Sequence, residues 1–547
     1  MEGEVKHMKR ERIFCFPFLL VLSLSACGGS APTSGDPIGS DDLPLREKDD
    51  NYQAFYELVP YSFADSNGDR IGDLKGVEDK LGYLADLNYT GIWMTPIFPS
   101  PTYHKYDATD YFNIDPQFGN LEDFDSLVTK AHEKGIKVIL DLAVNHTSNS
   151  HEWFKKCCQA WVDEDTSNYY YSFYNIQERS AGGAWHSVPG SNKYAYEGQF
   201  WSGMPDLNLQ DVLDNPDGNL ANELKRIFQF WLGDHNVDGF RLDAVTSYFT
   251  SSKDKNLEFM TWLNNECKAI NDDCYLVGEG SWSGNSSENR TYQDSGVDSF
   301  FNFMNQSAAE LYSIPSAILA RDASKLAKGM SQQWKTASNG IPANFIGNHD
   351  TVRLVGPTGG RSNALAAKFG HTLLGILPGA IFNYYGDETG QSVPINGNED
   401  PDKRLHVEWG DSYVTNDPPG SCTYDKEATY PYGTVKAQLA DPDSIVSHVK
   451  KVNLLRKQFP EIARGTTALI DEKEMEDDTV IAVISKKTET SEIYLVINPS
   501  TTKSYQYNFA HLEGYKPVAE LSVSGKSTAK SGTLFLEPGA LVVLAKS

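Results

Sequence analysis

Residues 137–145 read KVILDLAVN, and residues 237–244 read VDGFRLDA. Each is a short apolar run that carries acidic or amide side chains toward its end. This pattern is typical of a parallel strand covered on both faces. Runs of the same kind occur at 54–60, 90–96, 275–279, 297–303, 343–348 and 380–385. Amphipathic stretches separate these runs, and eight strands alternating with helices predict an α/β fold, a (β/α)8 barrel.

Two of the intervening stretches have a clear helical period. Leu74, Val77, Leu81 and Leu84 fall on one face of the first. The second, residues 121–134, is followed by a glycine, which commonly ends a helix. We therefore expect helices to connect the strands of the barrel.

Two segments depart from this alternation. Residues 147–220 are rich in Trp, Tyr, Gly and Pro with little helical period, and they predict a domain inserted after the third strand. Residues 461–547 contain short β-rich runs separated by turn residues, which predict a C-terminal antiparallel β-sandwich. The catalytic barrel is then assigned to residues 51–146 and 221–460.

The first 27 residues are predicted to be an export signal. A basic stretch precedes the apolar run 13–24, which is short for a transmembrane helix; a buried helix is the alternative. The run ends in Leu-Ser-Ala-Cys27, which is similar to the lipobox of bacterial lipoproteins, in which the Cys becomes lipidated. This resemblance implies lipidation of Cys27 and a lipid anchor to the bacterial cell envelope. Gly28 in place of an Asp typical of inner-membrane retention favours the outer membrane.

Residues 28–50 are rich in Gly, Ser, Pro and Asp and predict a flexible linker. The membrane would then be contacted only through the N-terminal lipid anchor. Export also implies an oxidising compartment. Five cysteines remain beyond Cys15 and Cys27, so at least one thiol is unpaired within the chain. A bridge between Cys267 and Cys274 is favoured, and a further bridge would join Cys422 to one of the pair at 157–158.

The charge and the aromatic content limit the choice of partner. The chain has 48 basic and 74 acidic residues, a net charge of −26. This balance argues against nucleic acid as a partner, because phosphates would find little positive charge. Ten Trp and 28 Tyr are more than a core requires, and flat rings stack well on sugar faces.

Polar side chains follow four of the predicted strands. They are Asp141, Asn145 and His146 after strand three, Arg241 and Asp243 at strand four, Glu279 at strand five, and Asn348, His349 and Asp350 after strand seven. In such barrels the functional groups collect at the carboxyl ends of the strands. A structural salt bridge explains any one of these residues but not all of them together, because burying charge is costly.

Two carboxylates about 5 Å apart suit a retaining glycosidase, in which one attacks the anomeric carbon and the other protonates the leaving oxygen. The acid must hold its proton near neutral pH, which a neighbouring negative charge favours. Arg241 lies two residues before Asp243, on the same strand face. It is therefore placed to keep Asp243 ionised and oriented.

The stretches DLAVNH at 141–146, GFRLDA at 239–244, VGE at 277–279 and FIGNHD at 345–350 resemble, in order and spacing, four motif regions of the α-amylase family of glycoside hydrolases. A fifth motif, MPDLN at 204–208, falls in the inserted segment where the family places it. The resemblance extends from about residue 51 to the C-terminus. It implies that Asp243 is the nucleophile, Glu279 the general acid/base and Asp350 the stabiliser of the transition state.

The same resemblance implies a set of sugar-binding residues, namely His104, Tyr106, Asp107, His146, Arg241, His349 and Arg404. Tyr106 would stack on the sugar ring, and Asp107 would hydrogen-bond its hydroxyls. Lys105 replaces the Gly that the family usually has in this element, so the resemblance does not fix the backbone shape of this loop. Around Arg404 the flanking family pattern is only partly kept.

A cation site is predicted near the start of the barrel. In the stretch DSNGDRIGD, the oxygen ligands at positions 1, 3, 5, 7 and 9 would be Asp65, Asn67, Asp69, the carbonyl of Ile71, and Asp73. Position 12 is Gly instead of Glu, so the loop is not a complete EF-hand, and an Arg stands where Gly would relieve the turn. A solvated acidic turn is the alternative. Relatives of the oligo-1,6-glucosidases carry a similar loop, which implies a structural Ca2+. Asn145 and Asp206 could form a second calcium site.

The residue after the nucleophile is Ala244, and small residues here accompany α-1,4 cleavage in the family. The fifth motif resembles the group intermediate between oligo-1,6-glucosidases and neopullulanases. These features imply a hydrolase of α-1,4-glucosidic bonds in starch or maltooligosaccharides. The alternatives are an exo-α-glucosidase, a glucanotransferase or an isomerase at the same site, and a glucan-binding surface protein or accessory subunit without catalysis.

Overall fold

The computed structural model of the chain describes residues 35–39, 43–280, 291–303, 340–356, 363–410, 412–470 and 481–546. The predicted signal peptide, with Cys27, and residues 28–34 lie outside these ranges. In the described part of the chain, no helix has the length and apolar composition needed to cross a membrane.

Within those ranges the chain forms twenty strands. They are β1 (Asp36–Pro37), β2 (Ala54–Leu58), β3 (Gly91–Met94), β4 (Lys137–Leu142), β5 (Ile176–Glu178), β6 (Trp185–Ser187), β7 (Tyr194–Glu197), β8 (Gly239–Leu242), β9 (Tyr275–Gly278), β10 (Ser299–Asn302), β11 (Ala343–Phe345), β12 (Ala380–Tyr384), β13 (Thr466–Leu469), β14 (Ala482–Lys487), β15 (Glu492–Ile497), β16 (Tyr505–Asn508), β17 (Tyr515–Leu521), β18 (Thr528–Lys530), β19 (Thr533–Leu536) and β20 (Leu541–Lys546).

The helices of the described residues are α1 (Pro60–Phe63), α2 (Leu74–Asp86), α3 (Leu121–Glu133), α4 (Glu152–Val162), α5 (Leu209–Asp214), α6 (Asn219–Phe228), α7 (Lys253–Ile270), α8 (Ala364–Gly375), α9 (Asp400–Lys403), α10 (Lys426–Thr429), α11 (Val435–Leu439), α12 (Ile445–Gln458) and α13 (Glu461–Arg464). A π-helical turn, Gln229–Asp234, continues α6, and a 3-10 turn spans Asp387–Thr389.

Eight parallel strands close into a barrel in the order β2, β3, β4, β8, β9, β10, β11, β12, and β12 pairs back with β2. Each strand lies within one of the eight predicted runs, so the predicted (β/α)8 fold is confirmed. Large buried side chains fill the interior, including Phe55, Trp93, Tyr275, Phe301 and Phe382. The barrel is therefore a packed core, and a site must lie at one of its ends.

The predicted connecting helices also form. Asp73 caps α2 by accepting a hydrogen bond from the backbone N–H of Gly76, and Leu74, Val77, Leu81 and Leu84 are buried on one face of that helix. Helix α3 begins at a capping box and is followed by Gly135, whose φ is +68°. The local signals for these helices therefore agree with the tertiary packing.

Between β4 and β8 the chain forms α4 and a small antiparallel sheet, β5-β7-β6, before it returns to the barrel. At the C-terminal end, the five-stranded sheet β13-β14-β15-β20-β17 packs on the sheet β1-β18-β19-β16. This is the predicted antiparallel C-terminal domain. Within it β19 and β20 are separate strands, because the chain turns at Gly539, whose φ is +62°.

The prediction of a flexible linker at 28–50 is wrong for its described part. Strand β1 pairs with β18 of the C-terminal domain. The guanidinium of Arg46 lies 2.8 Å from Glu461, and that of Arg464 lies 2.5 Å from Asp50. A strand pairing and two ion pairs therefore fix a segment whose composition resembles that of a linker.

The described cysteines form no disulfide bond. All five, Cys157, Cys158, Cys267, Cys274 and Cys422, are free thiols. The favoured bridge between Cys267 and Cys274 is therefore not formed, nor is a bridge from Cys422 to Cys157 or Cys158. Burial raises the pKa of the Cys267 thiol well above its ordinary value, which keeps this thiol protonated and unreactive.

Candidate active site

The three predicted catalytic carboxylates converge at the carboxyl end of the barrel. Asp243 follows β8, Glu279 follows β9, and Asp350 lies beyond β11. The guanidinium of Arg241 contacts Asp243 through one terminal nitrogen and lies 2.9 Å from Glu279 Oε2 through the other. One buried cation therefore joins two carboxylates that are 36 residues apart in sequence.

Arg241 also lies 2.8 Å from Asp141 Oδ1, so three acidic groups share this cation. Burial raises the pKa of Asp243 to about 6, although Arg241 opposes the shift. Burial also raises the pKa of Glu279; Arg241 lowers it, and the charge of Asp243 raises it further. A single proton is therefore readily held among these carboxylates near neutral pH.

Glu279 is fixed by a second donor. Its Oε2 accepts a hydrogen bond of 2.9 Å from the backbone N–H of Ala244, whose φ is +45°. A left-handed backbone is uncommon for a residue with a side chain. This conformation directs the N–H of Ala244, which lies just after β8, toward the carboxylate of Glu279, which lies just after β9.

Asp350 is held ionised by two cations. His349 Nε2 lies 3.0 Å and Arg404 Nη2 lies 2.5 Å from its carboxylate. Although burial opposes ionisation, His349 and Arg404 hold the pKa of Asp350 well below its ordinary range. The backbone carbonyl of His349 also accepts a hydrogen bond from Arg404, at 2.9 Å.

Glu57, at the carboxyl end of the first barrel strand, completes this arrangement and was missed in the sequence. Its Oε1 lies 2.7 Å from His349 Nδ1 and accepts from the His349 backbone N–H at 3.1 Å. Burial opposes the charge on the imidazole, but Asp350 and Glu57 raise the pKa of His349 to about 9. An acidic residue near the end of an apolar run, the cue that drew attention to Asp141, could have identified Glu57.

Tyr106 and Asp107 lie beside these groups on the loop after β3. The ring of Tyr106 stacks on His349 with 5.6 Å between centroids, and its hydroxyl lies 2.9 Å from Asp141 Oδ2. Asp107 is buried and accepts a hydrogen bond of 2.7 Å from Ser100. His104 lies in the same loop, where its Nδ1 accepts a hydrogen bond from the Tyr106 N–H, and burial lowers the pKa of His104.

His146 offers a polar atom to the site. It is buried, and its Nε2 has no hydrogen-bond partner among the described residues. Burial lowers the pKa of this imidazole to about 4, so it is neutral at pH 7. The ring of Phe200, which is about half exposed, packs edge-on against it at 5.3 Å. A neutral imidazole in this position can hydrogen-bond a sugar hydroxyl.

Asn145 and Asp206, the residues of the predicted second calcium site, lie close together. Asp206 lies 3.4 Å from the Asn145 side-chain amide and accepts from the Gln199 backbone N–H at 3.3 Å. The side-chain amide of Gln199 also donates to the carbonyl of Ser247. Burial raises the pKa of Asp206 to about 7, with a further contribution from Glu197.

The predicted calcium loop wraps around its own carboxylates. Asp65 accepts hydrogen bonds from the backbone N–H groups of Asn67, Gly68 and Arg70, and Asp73 accepts from Ser66 and caps α2. Ile71, whose backbone carbonyl is one of the predicted ligands, donates its backbone N–H to Asp69. In the part of the chain that the structure describes, no three His, Cys, Asp or Glu side chains gather closely enough to share a metal ion.

Comparison with known proteins shows the family of the chain. The family model of the α-amylase catalytic domain matches residues 57–465. Alpha-amylase 3 of Dictyoglomus thermophilum is 34% identical over 457 residues, which cover 78% of this chain and 83% of that protein. Maltase A1 of Drosophila melanogaster is 29% identical over 514 residues, which cover 81% of this chain and 85% of that protein.

Among solved structures, Eubacterium rectale Amy13B matches with a TM-score of 0.82 at 34% identity, over 94% of this chain and 97% of that one. The match of the catalytic-domain model extends from the first barrel strand to the start of the C-terminal domain, across every residue of the site described above. The chain therefore belongs to the α-amylase family of glycoside hydrolases.

Proposed function

We propose that the enzyme cleaves α-1,4-glucosidic bonds in starch or maltooligosaccharides, with Asp243 as nucleophile, Glu279 as acid/base and Asp350 as transition-state stabiliser. The observation that carries the proposal is the single guanidinium of Arg241 shared by Asp243 and Glu279. Two carboxylates held by one guanidinium are compatible with the separation of about 5 Å that a retaining mechanism needs. A covalent glycosyl-enzyme intermediate then precedes attack by water.

In the first step the Asp243 carboxylate attacks the anomeric carbon while Glu279 donates its proton to the glycosidic oxygen, which leaves as an alcohol. In the second step Glu279 accepts a proton from water, and the hydroxide displaces Asp243 from the sugar. Oε2 of Glu279 accepts from Arg241 and from the Ala244 N–H, and these two donors orient the carboxyl group for proton transfer. Asp350, kept ionised by His349 and Arg404, stabilises positive charge on the sugar as the bond breaks.

The preference for α-1,4 bonds is supported by the small residue Ala244 after the nucleophile and by the similarity to proteins named α-amylases. The test is the product profile on soluble starch. An endo-acting amylase lowers viscosity quickly and releases mixed maltooligosaccharides. An exclusively glucose product, or a change of linkage without a change of size, would contradict the proposal. The variant Asp243→Asn, with unchanged folding, should lose starch hydrolysis by at least about a thousandfold.

Exo-α-glucosidase or glucosyl-transfer activity at the same site is the second candidate. Relatives named as a maltase and as an α-glucosyl transfer enzyme cover at least 81% of this chain. Incubation with maltose separates the two: glucose from maltose favours an exo-glucosidase, and longer oligosaccharides favour transfer. Both outcomes leave the roles of the three carboxylates unchanged.

We also propose that the loop 65–73 binds a structural Ca2+ through Asp65, Asn67, Asp69, the Ile71 carbonyl and Asp73. Oxygen side chains at positions 1, 3, 5 and 9 support this proposal, as does the burial of Asp65 and Asp73. The ion would hold the loop against α2 and take no part in the chemistry. Chelation should lower the melting temperature, and added Ca2+ should restore it. In the variant Asp69→Ala, the melting temperature should be the same with and without Ca2+.

Finally, we propose that the enzyme is exported and lipid-anchored through Cys27, in the outer membrane of the bacterial envelope. The apolar run before Cys27 and the Gly at 28 support this. Membrane fractionation with a labelled fatty acid tests it. The wild-type chain should carry the label in the outer-membrane fraction, and Cys27→Ser should lose the label. Unlabelled wild-type enzyme would contradict the proposal.

A further inference from the structure

A large basic cavity lies at the opposite end of the barrel from the carboxylates. Its volume is about 650 Å3. Its walls include Gln53, Thr90, Ile136 and Asp238, which stand at or just before the amino ends of β2, β3, β4 and β8. Since the carboxylates stand at the carboxyl ends of the strands, the cavity and the active site open on opposite faces of the molecule.

The charge of this cavity is the reverse of the charge of the chain. The chain as a whole has 48 Lys and Arg against 74 Asp and Glu. The cavity is lined by seven Lys and Arg and one His, against three acidic residues. These are Arg46, Lys48, Lys134, Lys137, Arg456, Lys457, Arg464 and His132, with Glu47, Asp49 and Asp238. Glu461 and Asp50, just outside this lining, pair with Arg46 and Arg464, so the excess of positive charge rests on Lys48, Lys134 and Arg456. A local excess of this kind attracts anions.

The floor of the cavity holds a buried positive charge. Arg456 is 6% exposed and donates to the backbone carbonyls of Gly375, Leu377 and Gly379 at 2.6 to 2.9 Å. Among the described residues it has no carboxylate within ion-pairing distance. Neutral carbonyls orient a guanidinium without cancelling its charge, so its positive potential extends into the cavity.

At the rim, Lys48 and Lys134 are exposed. Neither takes part in an ion pair of the described residues. By contrast, Lys137 pairs with Asp49 and Lys457 with Glu47. The two unpaired lysines therefore present free ammonium groups to whatever approaches this face.

The residues that line this cavity include part of the N-terminal segment, which follows the proposed lipid anchor at Cys27 in sequence. Part of the segment 43–50 lines the cavity. Two contacts hold this segment in place: the backbone N–H of Arg46 donates to the carbonyl of Lys457, and Asp50 forms an ion pair with Arg464. Asp36 is nine residues after Cys27, a reach of about 30 Å when fully extended. A lipid at Cys27 would thus keep the side of the molecule that carries this segment close to the bilayer.

We propose that the basic cavity and its lysine rim are a docking surface for anionic phospholipid headgroups, which seats the enzyme with its active site facing away from the membrane. The basic face is attracted to the bilayer, while the acidic remainder of the chain is repelled from it. The two effects together favour one orientation. The inference rests in part on the proposed lipid anchor at Cys27, but soluble enzyme without any lipid tests the basic surface separately from the anchor.

The experiment uses residues 28–547 prepared without lipid, which include every element of the described fold. Binding to vesicles of phosphatidylglycerol and phosphatidylcholine is compared with binding to phosphatidylcholine alone, at low ionic strength. We expect binding only to the anionic vesicles and its loss in high salt. Lys48→Glu with Lys134→Glu should weaken this binding by about tenfold or more and leave starch hydrolysis in solution unchanged.

The matched control is Lys155→Glu with Lys156→Glu, two exposed lysines of α4 in the inserted segment. It makes the same change in net charge on another part of the surface and should bind vesicles more strongly than the cavity variant. Equal loss of binding in both variants would overturn the proposal, since total charge would then explain the result. Wild-type enzyme that does not bind anionic vesicles would also overturn the proposal. Wild-type enzyme that binds inorganic phosphate but not anionic vesicles would overturn it as well, because this result would indicate a site for a free anion.

Discussion

The ammonium of Lys105 lies 2.8 Å from the carboxylate of Asp115, and both side chains are buried beneath the loop that carries Tyr106 and Asp107. Lys105 stands where the family usually has Gly, and its φ is +63°. The loop therefore keeps a backbone conformation suited to Gly, at a cost of about 1 kcal/mol for a residue with a side chain. The buried ion pair offsets this cost by fixing the loop from below.

We expect Lys105→Met to destabilise the enzyme by about 3 kcal/mol, because it leaves the Asp115 charge buried without its partner. The Michaelis constant for maltooligosaccharides should also rise, since Tyr106 and Asp107 lie on the same loop. Chemical denaturation and steady-state kinetics measure the two effects. The double variant Lys105→Met with Asp115→Leu should recover much of the stability. If it is no more stable than the single variant, the ion pair does not hold the loop.

The acidic side of the pH–activity profile should report Asp243. As the proposed nucleophile, Asp243 would act as a carboxylate, and its pKa is raised to about 6. Activity should therefore fall about tenfold per pH unit below that value. The charge of Asp141 contributes to the raised pKa of Asp243, and Asp141 competes for Arg241.

The variant Asp141→Asn should consequently move the acidic limb to lower pH. Two effects of the substitution lower the pKa of Asp243. It removes a neighbouring negative charge, and it removes a carboxylate that competes with Asp243 for Arg241. The profile of kcat/KM against pH is the measurement. Asp234→Asn, which removes an exposed carboxylate before β8, should leave the limb in place. A limb that stays fixed in Asp141→Asn, or moves to higher pH, would show that Asp141 does not set the protonation of the nucleophile.

The imidazolium of His349 should make stability depend on pH on the alkaline side. Its folded pKa of about 9 exceeds the unfolded value of about 6.5. The charged form therefore stabilises the fold fully below about pH 6.5, and this contribution is lost as the pH rises through about 9. Glu57→Gln removes one source of the raised pKa of His349.

Denaturation of Glu57→Gln at several pH values checks this. The variant should be less stable than the wild type by about 1 to 3 kcal/mol near pH 6.5. The difference should shrink toward zero as the pH approaches 9 and His349 loses its proton in both proteins. A difference that is constant over this range would mean that Glu57 supports the fold through packing alone.

The sequence predicted the barrel because its signal is local. A parallel strand covered on both faces must be apolar along its length, and each of the eight runs has that property. The three carboxylates were found in the same way, at the ends of these runs. The docking of residues 43–50 has no local signal, since Arg46 and Asp50 find their partners more than 400 residues later. Glu57 was not predicted because a single acidic residue inside an apolar run does not by itself indicate a functional site.

Lys105 shows a different limit. Its departure from the family pattern was visible, but the compensating partner Asp115 lies ten residues away in a stretch without a motif. A substitution can therefore be recognised in the sequence as unusual, whereas the contact that makes it tolerable follows only from the packed loop.

Arg70 in the predicted calcium loop allows a last test, because it also has a left-handed backbone, with φ at +69°. Its N–H donates to Asp65, and its carbonyl accepts from Asn416, so the conformation is held by backbone contacts that any residue could make. Arg70→Gly should keep these bonds and relieve about 1 kcal/mol of strain, less the added entropy of Gly in the unfolded chain. We expect a melting temperature equal to or above that of the wild type, measured with and without Ca2+. Arg70→Ala is the matched control: it removes the same side chain but keeps a side chain in the left-handed region, so its melting temperature should not rise. Equal losses in the two variants would show that the Arg70 side chain itself stabilises the loop.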